Sequence, residues 1–506
     1  MVGHNPPHLL ALNFDVQVYI LSFLRTSDTS RLMRTCHFFL RLALPALCRS
    51  TVTLFGAEKV ASFYHFLRIG SPCPRGPQIR ALNIMWTHVD REPYTERILQ
   101  VLRNCTHLKQ LLVYYPPLYS NPLVWLTITE ATALEELLVC LENIETAHLC
   151  KLANLPLRTL SLEAHNSTIE NAALHALAPL ASNLVELKLI CDLPPCISTR
   201  AAFPRVKRLA LLASMTHSNP FKGGLARAFP SVTHFILRGG FWGKPKADDH
   251  LLREESSRAW VENRNSKAWP SLAAFTADDP VVAFVMAVPR HLSLLSVPWW
   301  GDTPLVLPTI MADTTPRILE LTSIVFPTDI REEMFSVLSR IADSPAAAAS
   351  LRTLIIRSDF LAFVGEQCDT AQQLMRSLRD ALGKLPITHL LLAFIGLSQK
   401  LTGKDPPGLS AFADLCAECF STGSTSLCWI GVVTNGDEVP LRSWKLVRKL
   451  APGPSAQGEG FDNVMSPPAL CQETQYQGWA SLLSAGMEIA IADVDHFRDF
   501  LRVAKQ

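Results

Sequence analysis

An apolar triplet recurs along most of this chain: an apolar residue, two variable positions, a second apolar residue, one variable position and a third apolar residue. It begins at Ile79/Leu82/Ile84 and returns about every 29 residues. The later occurrences are Leu108/Leu111/Val113, Leu134/Leu137/Val139, Leu157/Leu160/Leu162, Leu184/Leu187/Leu189, Val206/Leu209/Leu211, Val232/Phe235/Leu237, Leu272/Phe275/Ala277, Leu292/Leu295/Val297, Ile318/Leu321/Ser323, Leu351/Leu354/Ile356, Ile387/Leu390/Leu392 and Leu427/Ile430/Val432. Residues two apart share one face of a strand, so each triplet predicts a strand whose apolar face is buried by stacking in parallel.

Segments between the triplets show the period of helices, with apolar residues on one face every three or four positions. The capping box Ser167/Glu170 precedes one such segment, Ile169–Leu177. The others are a helix capped by Thr328 with Ile330, Met334, Leu338 and Ile341 on one face, and a helix capped by Asp369 or Thr370 that runs through Leu374, Leu378 and Leu382 to Gly383. Strand and helix alternate, so we predict an α/β fold, an αβ solenoid with a curved parallel strand ladder.

The first fifty residues carry a different pattern, which predicts three short helices. One helical face holds Val16, Tyr19, Ile20, Phe23 and Leu24, with Asn13 as the predicted cap and Asp15 in the first turn. A second helix is predicted to be capped by Ser27 or Asp28, and a third to carry Phe38, Phe39, Leu42 and Ala43 and to end at Pro45. Three short helices cannot bury this apolar surface alone, so they must pack on the rest of the chain, on a partner, or on both.

This segment resembles an F-box, through matching residues at Leu12, Asp15, Val16, Ile20, Leu21, Leu24, Asp28, Leu32, Cys36 and Phe39. It departs from the family in having Asn13 where a proline is usual, and Thr29 where a leucine follows Asp28. The resemblance implies binding to a Skp-type adaptor and to the cullin ligase subunits it joins. The residues it implies for that contact are Leu12, Asp15, Val16, Ile20, Leu21, Leu24 and Leu32.

The triplet array resembles an irregular leucine-rich-repeat array of the sort that is fused to F-boxes in many fungal families. The expected domains are an F-box-like helical domain at 8–50 and a repeat solenoid at 51–450, with a polar insertion at about 239–269. A Pro/Gly/Ser-rich flexible loop at 451–475 and a C-terminal capping helix at 476–506 are expected to follow.

Amino-acid composition and charge limit the classes of partner that we expect. Hydrophobic residues make up 48% of the chain and Lys+Arg 47 against Asp+Glu 45 leaves a net charge of +2. This near balance offers no basic stripe for nucleic acid and no basic run for an anionic membrane. We find no signal peptide at Met1–Pro7, and the 13 cysteines lie mostly in apolar strings. A cytoplasmic or nuclear location is therefore expected.

Motifs of enzymes are missing from the sequence: it has no Gly-x-Ser-x-Gly elbow, no His-Glu-x-x-His motif and no phosphate-binding P-loop. Cys416 and Cys419 form a Cys-x-x-Cys, but no second pair or nearby histidine completes a zinc site. Cys36 and His37 are neighbours on a helix and do not face each other. We therefore expect no enzymatic activity, no cofactor and no metal.

The strand residues that alternate with the core are expected to form an inner wall of mixed charge, which suits a protein partner. They include Tyr114, Glu136, Glu163, Glu186, Lys188, Arg208, His234, Arg238, Glu320, Arg357, His389 and Trp429. Just past the strands, aromatic residues at one rim are either binding anchors or packing between loops; these are Tyr115, Trp242, Trp299 and Trp300. The expected target-binding residues are Tyr114, Tyr115, Arg208, Arg238, Trp242, Trp299, Trp300, Arg357 and Trp429.

Two functions remain open from the sequence. In one, the chain is a substrate-recruiting adaptor of a Skp–cullin–F-box ubiquitin ligase, and the repeats hold an unknown target protein. In the other, it is a non-ligase interaction scaffold in which the N-terminal helices only cap the repeat array.

Overall fold

The computed structural model describes most of the chain between residues 12 and 473. The described ranges are 12–24, 26–68, 75–85, 95–114, 121–140, 146–168, 171–192, 202–212, 224–239, 254, 256–261, 264, 269–288, 291–299, 303–322, 336–359, 368–395, 419–420, 426–434, 442–447 and 469–473. The chain forms two compact units. The first comprises residues 1–212 and 227–230, and the second comprises residues 213–226 and 231–506.

The first unit contains a ladder of seven parallel strands in chain order. The strands are β1 Thr51–Phe55, β2 Ala81–Met85, β3 Gln110–Tyr114, β4 Glu136–Cys140, β5 Thr159–Thr168, β6 Glu186–Asp192 and β7 Arg208–Leu212. Each strand is paired with the next along the chain, as stacked repeats require. The sequence pattern predicted every one of these strands except β1.

The second unit contains seven more parallel strands in chain order, followed by two antiparallel ones. The parallel strands are β8 His234–Arg238, β9 Ala274–Ala277, β10 Leu294–Pro298, β11 Ile318–Thr322, β12 Thr353–Asp359, β13 His389–Ile395 and β14 Trp429–Thr434. The antiparallel strands are β15 Arg442–Val447 and β16 Ala469–Glu473. Strand β16 lies inside the segment 451–475 that the sequence predicted to be a loop, whereas residues 451–468 lie outside the described ranges.

Three helices precede β1, and the other helices occupy connections between strands. They are α1 Phe14–Phe23, α2 Thr26–Met33, α3 His37–Arg49, α4 Gly56–Arg68, α5 Thr95–Asn104, α6 Pro122–Glu130, α7 Thr146–Lys151, α8 Asn171–Ala176, α9 Gly224–Ala228, α10 Pro280–Met286, α11 Thr303–Thr314, α12 Pro345–Ser350 and α13 Cys368–Leu382. Helix α13 ends at Leu382, immediately before Gly383, as predicted. From β1 onward, this alternation of strands and helices is an α/β arrangement with a parallel strand ladder in each unit.

The core lies on the face of each ladder where the apolar triplets point. In the first ladder, Leu82, Leu111 and Leu137 are register neighbours on adjacent strands, and all three are buried. Helix α5 packs there because its Ile98 and Leu102, one turn apart, are buried as well. Apolar stacking across repeats therefore holds the ladder together, as the triplet pattern implied.

One predicted triplet is displaced. In β11, Leu319 is the register partner of Leu295 and Leu321 is the partner of Val297. The core residues of this strand are therefore Leu319 and Leu321, two positions earlier than the predicted Leu321 and Ser323. A shift of two leaves the same residues on each face of the strand.

The N-terminal segment contains three helices, and two of their predicted boundaries were wrong. Helix α2 begins at Thr26, so Ser27 and Asp28 lie in its first turn and do not cap it. Helix α3 continues through Pro45 to Arg49. Ala43 and Cys48 are buried on either side of the proline, and we attribute the continuation to this burial, which offsets the hydrogen bond that proline removes.

Eight cysteines of the described ranges are free thiols: Cys36, Cys48, Cys105, Cys140, Cys150, Cys191, Cys419 and Cys428. Cys48 at the end of α3 and Cys105 after α5 are both buried. Burial raises the pKa of the Cys48 thiol to about 11 and that of Cys105 to about 12. Both thiols therefore remain protonated at neutral pH and act as small apolar side chains.

Candidate functional site

Helix α1 carries an exposed apolar stripe. Asn13 caps the helix, as predicted, since its side chain accepts a hydrogen bond from the backbone N–H of Asp15 at 3.2 Å. Leu12, which precedes the cap, and Val16 and Tyr19, which lie one turn apart in the helix, are 37%, 43% and 66% exposed. We call these three residues, together with the half-buried Ile20, the α1 stripe.

The residues implied for adaptor binding divide into three groups by burial. Leu12, Asp15 and Val16 are exposed, and Ile20, Leu24 and Leu32 are half-buried. Leu21 is buried at 4% exposure and lies one turn from the buried Gln17. Leu21 therefore packs inside this protein and is not available to a partner, unlike the residues of the α1 stripe.

The sheet face opposite the core is polar in the first unit. The hydroxyl of Tyr114 donates a hydrogen bond of 3.3 Å to the carboxylate of Glu163. Glu186 lies 3.0 Å from the ammonium of Lys188 and 3.8 Å from the guanidinium of Arg208, which is itself exposed. Charges of both signs are therefore interleaved across strands β5 to β7.

The same face of the second ladder differs, because it is mainly apolar and buried. Leu294, Ile318, Ile355 and Leu391 are each less than 5% exposed. Arg357, which the sequence singled out for target binding, forms an ion pair with the buried Glu320. Two of the polar residues expected on this face are therefore paired with each other.

Two tryptophans assigned to target binding are buried: Trp299 is 1% exposed and Trp429 is 2% exposed. The ring of Trp429 lies over Gly431, in the space that a side chain there would fill. As placed, neither ring is accessible to a partner, so both pack within the second unit. Burial of these rings corrects the assignment of Trp299, at the rim, and of Trp429, on the inner wall, to target binding.

Other predicted residues have simpler outcomes. Arg238 at the end of β8 is exposed and Tyr114 is half-buried. Tyr115, Trp242, Trp300 and Cys416 lie outside the described ranges. Cys419 is half-buried. Among the residues that the structure describes, no group of three or more His, Cys, Asp and Glu side chains could hold a metal ion.

The sequence did not predict a groove at the start of strands β10 to β13 in the second unit, which we call the edge groove. It has a volume of about 460 Å³. Its polar lining is entirely basic or hydroxyl-bearing, and consists of Arg317, Arg352, His291, His389, Thr315, Ser350, Thr353 and Thr388. A sequence signal does exist, because Arg317 and Arg352 occupy the same position of two successive repeats, directly before the strand.

None of the described helices is both long and apolar enough to cross a bilayer.

Comparisons with known proteins add little to this description. No family model matches the chain, and no curated protein matches it. Among solved structures, an LRR protein from Leptospira interrogans is 11% identical, with a TM-score of 0.27 over 74% of this chain and 91% of that one. A similarity this low supports no conclusion, so the repeat assignment rests on the strand ladders and the triplets.

Proposed function

We propose that the chain is a substrate-recruiting adaptor of a Skp–cullin–F-box type ubiquitin ligase. The α1 stripe is the observation that carries this proposal. The stripe is the part of the F-box resemblance that remains open to a partner, because Leu12 and Val16 are exposed while Leu21 is buried.

Several large apolar side chains of α1 and α3 are exposed to solvent. Besides the α1 stripe, Phe14 of α1 and Phe38 of α3 are each more than 40% exposed. Single exposed apolar side chains are ordinary, but a cluster on neighbouring helices is typical of a protein interface. Val16 and Tyr19, one turn apart on α1, are exposed apolar anchors of the kind that the helix-in-groove mode of recognition uses.

The target would bind to the polar sheet face of the first unit. There Glu163, Glu186 and Arg208 present both signs of charge within three strands. A face of alternating sign favours a folded protein with complementary charges over a polyanion. Ubiquitin transfer itself would be carried out by other subunits, and this chain contributes no catalytic group to it.

A second candidate function is an interaction scaffold in which the helices only cap the first ladder. One observation favours it: Phe39, Ala43 and Cys48 of α3 are buried, and α3 contacts the 3-10 turn Gly76–Gln78 next to β2. In this function, helix α3 would cap the first ladder whether or not α1 binds a partner.

Co-expression of the full chain with a Skp-type adaptor distinguishes the two functions. An adaptor role predicts that both proteins elute together in size-exclusion chromatography and that a cullin N-terminal region joins the complex. A folded chain that elutes alone would reject the adaptor role and leave the scaffold. Removal of residues 1–50 is a poor test because it would uncover the buried surface beneath α3.

A further inference from the structure

Arg317 and Arg352 are stacked on adjacent strands at the edge groove. The backbone N–H of Arg352 donates a hydrogen bond of 2.9 Å to the carbonyl oxygen of Arg317. Adjacent strands are about 4.8 Å apart, and like charges at directly opposite positions destabilise a sheet. No carboxylate lines the groove, and within the described ranges the Arg317 guanidinium has no ion-pair or hydrogen-bond partner. Among the described residues, no carboxylate therefore balances these two positive charges.

In the first unit, the residue directly before each strand is the equivalent of Arg317 and Arg352. There Lys109, Glu135 and Arg158 follow one another across strands, and the Lys109 ammonium lies 2.7 Å from the Glu135 carboxylate. The hydrogen bond from Lys109 holds the pKa of the Glu135 carboxyl below its usual value, and the charge of Arg158 acts in the same direction. A carboxylate thus stands between the two cations, where the second unit has none.

The edge groove is built from groups that recognise oxyanions. Guanidinium groups bind phosphate through paired N–H donors. The hydroxyls of Ser350 and Thr388 donate to the carbonyl oxygens of Pro316 and Arg352, and Thr315 pairs with His291, so among the lining residues the two guanidinium groups are the donors that face a ligand. Arg352 donates one hydrogen bond from Nη1 to the Leu351 carbonyl, at 2.9 Å, which orients its guanidinium while other N–H groups remain. The volume of about 460 Å³ leaves room for the group that carries the phosphate.

We propose that the edge groove binds a phosphate monoester. The ester is carried either by a phosphorylated side chain of a partner protein or by a small phosphorylated molecule, since both present the same dianion with three acceptor oxygens. The proposal is separate from the adaptor role, because every residue that carries it belongs to the second unit. Loss of adaptor binding would leave it unaffected.

Inorganic phosphate is the first probe. The full chain is placed in phosphate-free buffer, and its melting temperature is followed as phosphate is added at constant ionic strength maintained with chloride. We expect phosphate to raise the melting temperature of the wild type and of Arg158→Gln equally. Arg317→Gln combined with Arg352→Gln should weaken phosphate binding about tenfold or more. The exposed single variant Arg317→Gln serves if the double variant does not fold. Equal stabilisation of the wild type and these groove variants, or none in any protein, would overturn the proposal.

Two phosphate esters then distinguish a phosphorylated partner protein from a small phosphorylated molecule. Phosphoserine peptides of mixed sequence, their unphosphorylated counterparts and glycerol phosphate are each titrated against the full chain by calorimetry. Binding of the phosphopeptides about tenfold tighter than glycerol phosphate would support a partner protein. Equal or tighter binding of glycerol phosphate would support a small molecule. If neither ester displaced inorganic phosphate, the groove would not accept an ester and the proposal would fail.

Discussion

The guanidinium Nε of Arg357 lies 2.5 Å from the carboxylate Oε1 of Glu320, on neighbouring strands of the second ladder. Both side chains are largely shielded from solvent, at 15% and 7% exposure. A buried ion pair contributes little net stability, but loss of one partner leaves an uncompensated charge. We therefore assign Arg357 a structural role, although the sequence pattern favoured a target contact.

Glu320→Ala should lower the free energy of unfolding by about 3–5 kcal/mol, because Arg357 would keep its charge without its partner. Urea denaturation measures the change. A double variant with leucine at both positions should recover most of the loss, since the second ladder is apolar around the pair. A loss below about 1 kcal/mol for Glu320→Ala would indicate a solvated pair instead.

In phosphate-free buffer, Arg317→Gln should raise the free energy of unfolding by about 0.2–1 kcal/mol, because it removes one of two opposed positive charges. Arg158→Gln is the matched control at the same repeat position. It removes a cation from beside the Glu135 carboxylate, so it should leave stability unchanged or slightly lower. Urea denaturation at low salt compares the two. A destabilised Arg317→Gln, or a stabilised Arg158→Gln, would contradict the account of uncompensated charge.

Gly76 sits in the 3-10 turn beneath α3, where a methyl group would overlap the backbone carbonyl of Asn104. Gly76→Ala should therefore destabilise the protein by about 1–3 kcal/mol. Gly383, just after α13, is the control, because a methyl group there would meet the Arg379 carbonyl oxygen at an ordinary 3.4 Å. Gly383→Ala should be neutral or stabilising by about 0.4–1 kcal/mol. Equal effects in thermal unfolding would show that the turn is not tightly packed.

Much of the fold could be predicted from the sequence, because triplets such as Leu82/Ile84 and Leu111/Val113 place two residues on one strand face. Strand β1 was missed because Val52 and Leu54 lack the preceding apolar residue of the triplet. In β11, the run Ile318, Leu319 and Leu321 fits two frames, and only the pairing with β10 selects one. The predicted end of α3 at Pro45 was wrong because a proline indicates only a local preference against helix. Burial of α3 depends on residues that are distant in sequence.

The candidate sites were harder to predict. Alternation along a strand identifies which residues face away from the core, but not whether that face is open. Trp429 is buried because Gly431 leaves room for its ring. The sequence pattern does not reveal this packing. Prediction of the edge groove requires the register between β11 and β12. This register places Arg317 beside Arg352, although the two are distant in sequence.

Burial also predicts the reactivity of the thiols. The raised pKa values of Cys48 and Cys105 keep both protonated at pH 8, and the thiolate is the reactive form. Cys150 and Cys428 are exposed. Brief treatment of the native protein with iodoacetamide, read by mass spectrometry, should modify the exposed pair first. Modification of Cys105 as fast as Cys150 would mean that the packing around Cys105 opens readily.

The adaptor role rests on one face of α1, and that helix offers a matched pair of valines. Val16 and Val18 are each 43% exposed. Residues two positions apart on a helix point about 200° away from each other around its axis. Val16 belongs to the α1 stripe and Val18 lies on the other side. Substitution of either by glutamate should change stability by no more than about 0.5 kcal/mol.

The most direct test is the affinity of a Skp-type adaptor for the full chain and for these two variants, measured by calorimetry. The account predicts that the wild type and Val18→Glu bind alike, whereas Val16→Glu binds at least about tenfold more weakly, because it places a charge in the centre of the apolar contact. Absence of binding by the wild type, or equal binding by all three proteins, would contradict it.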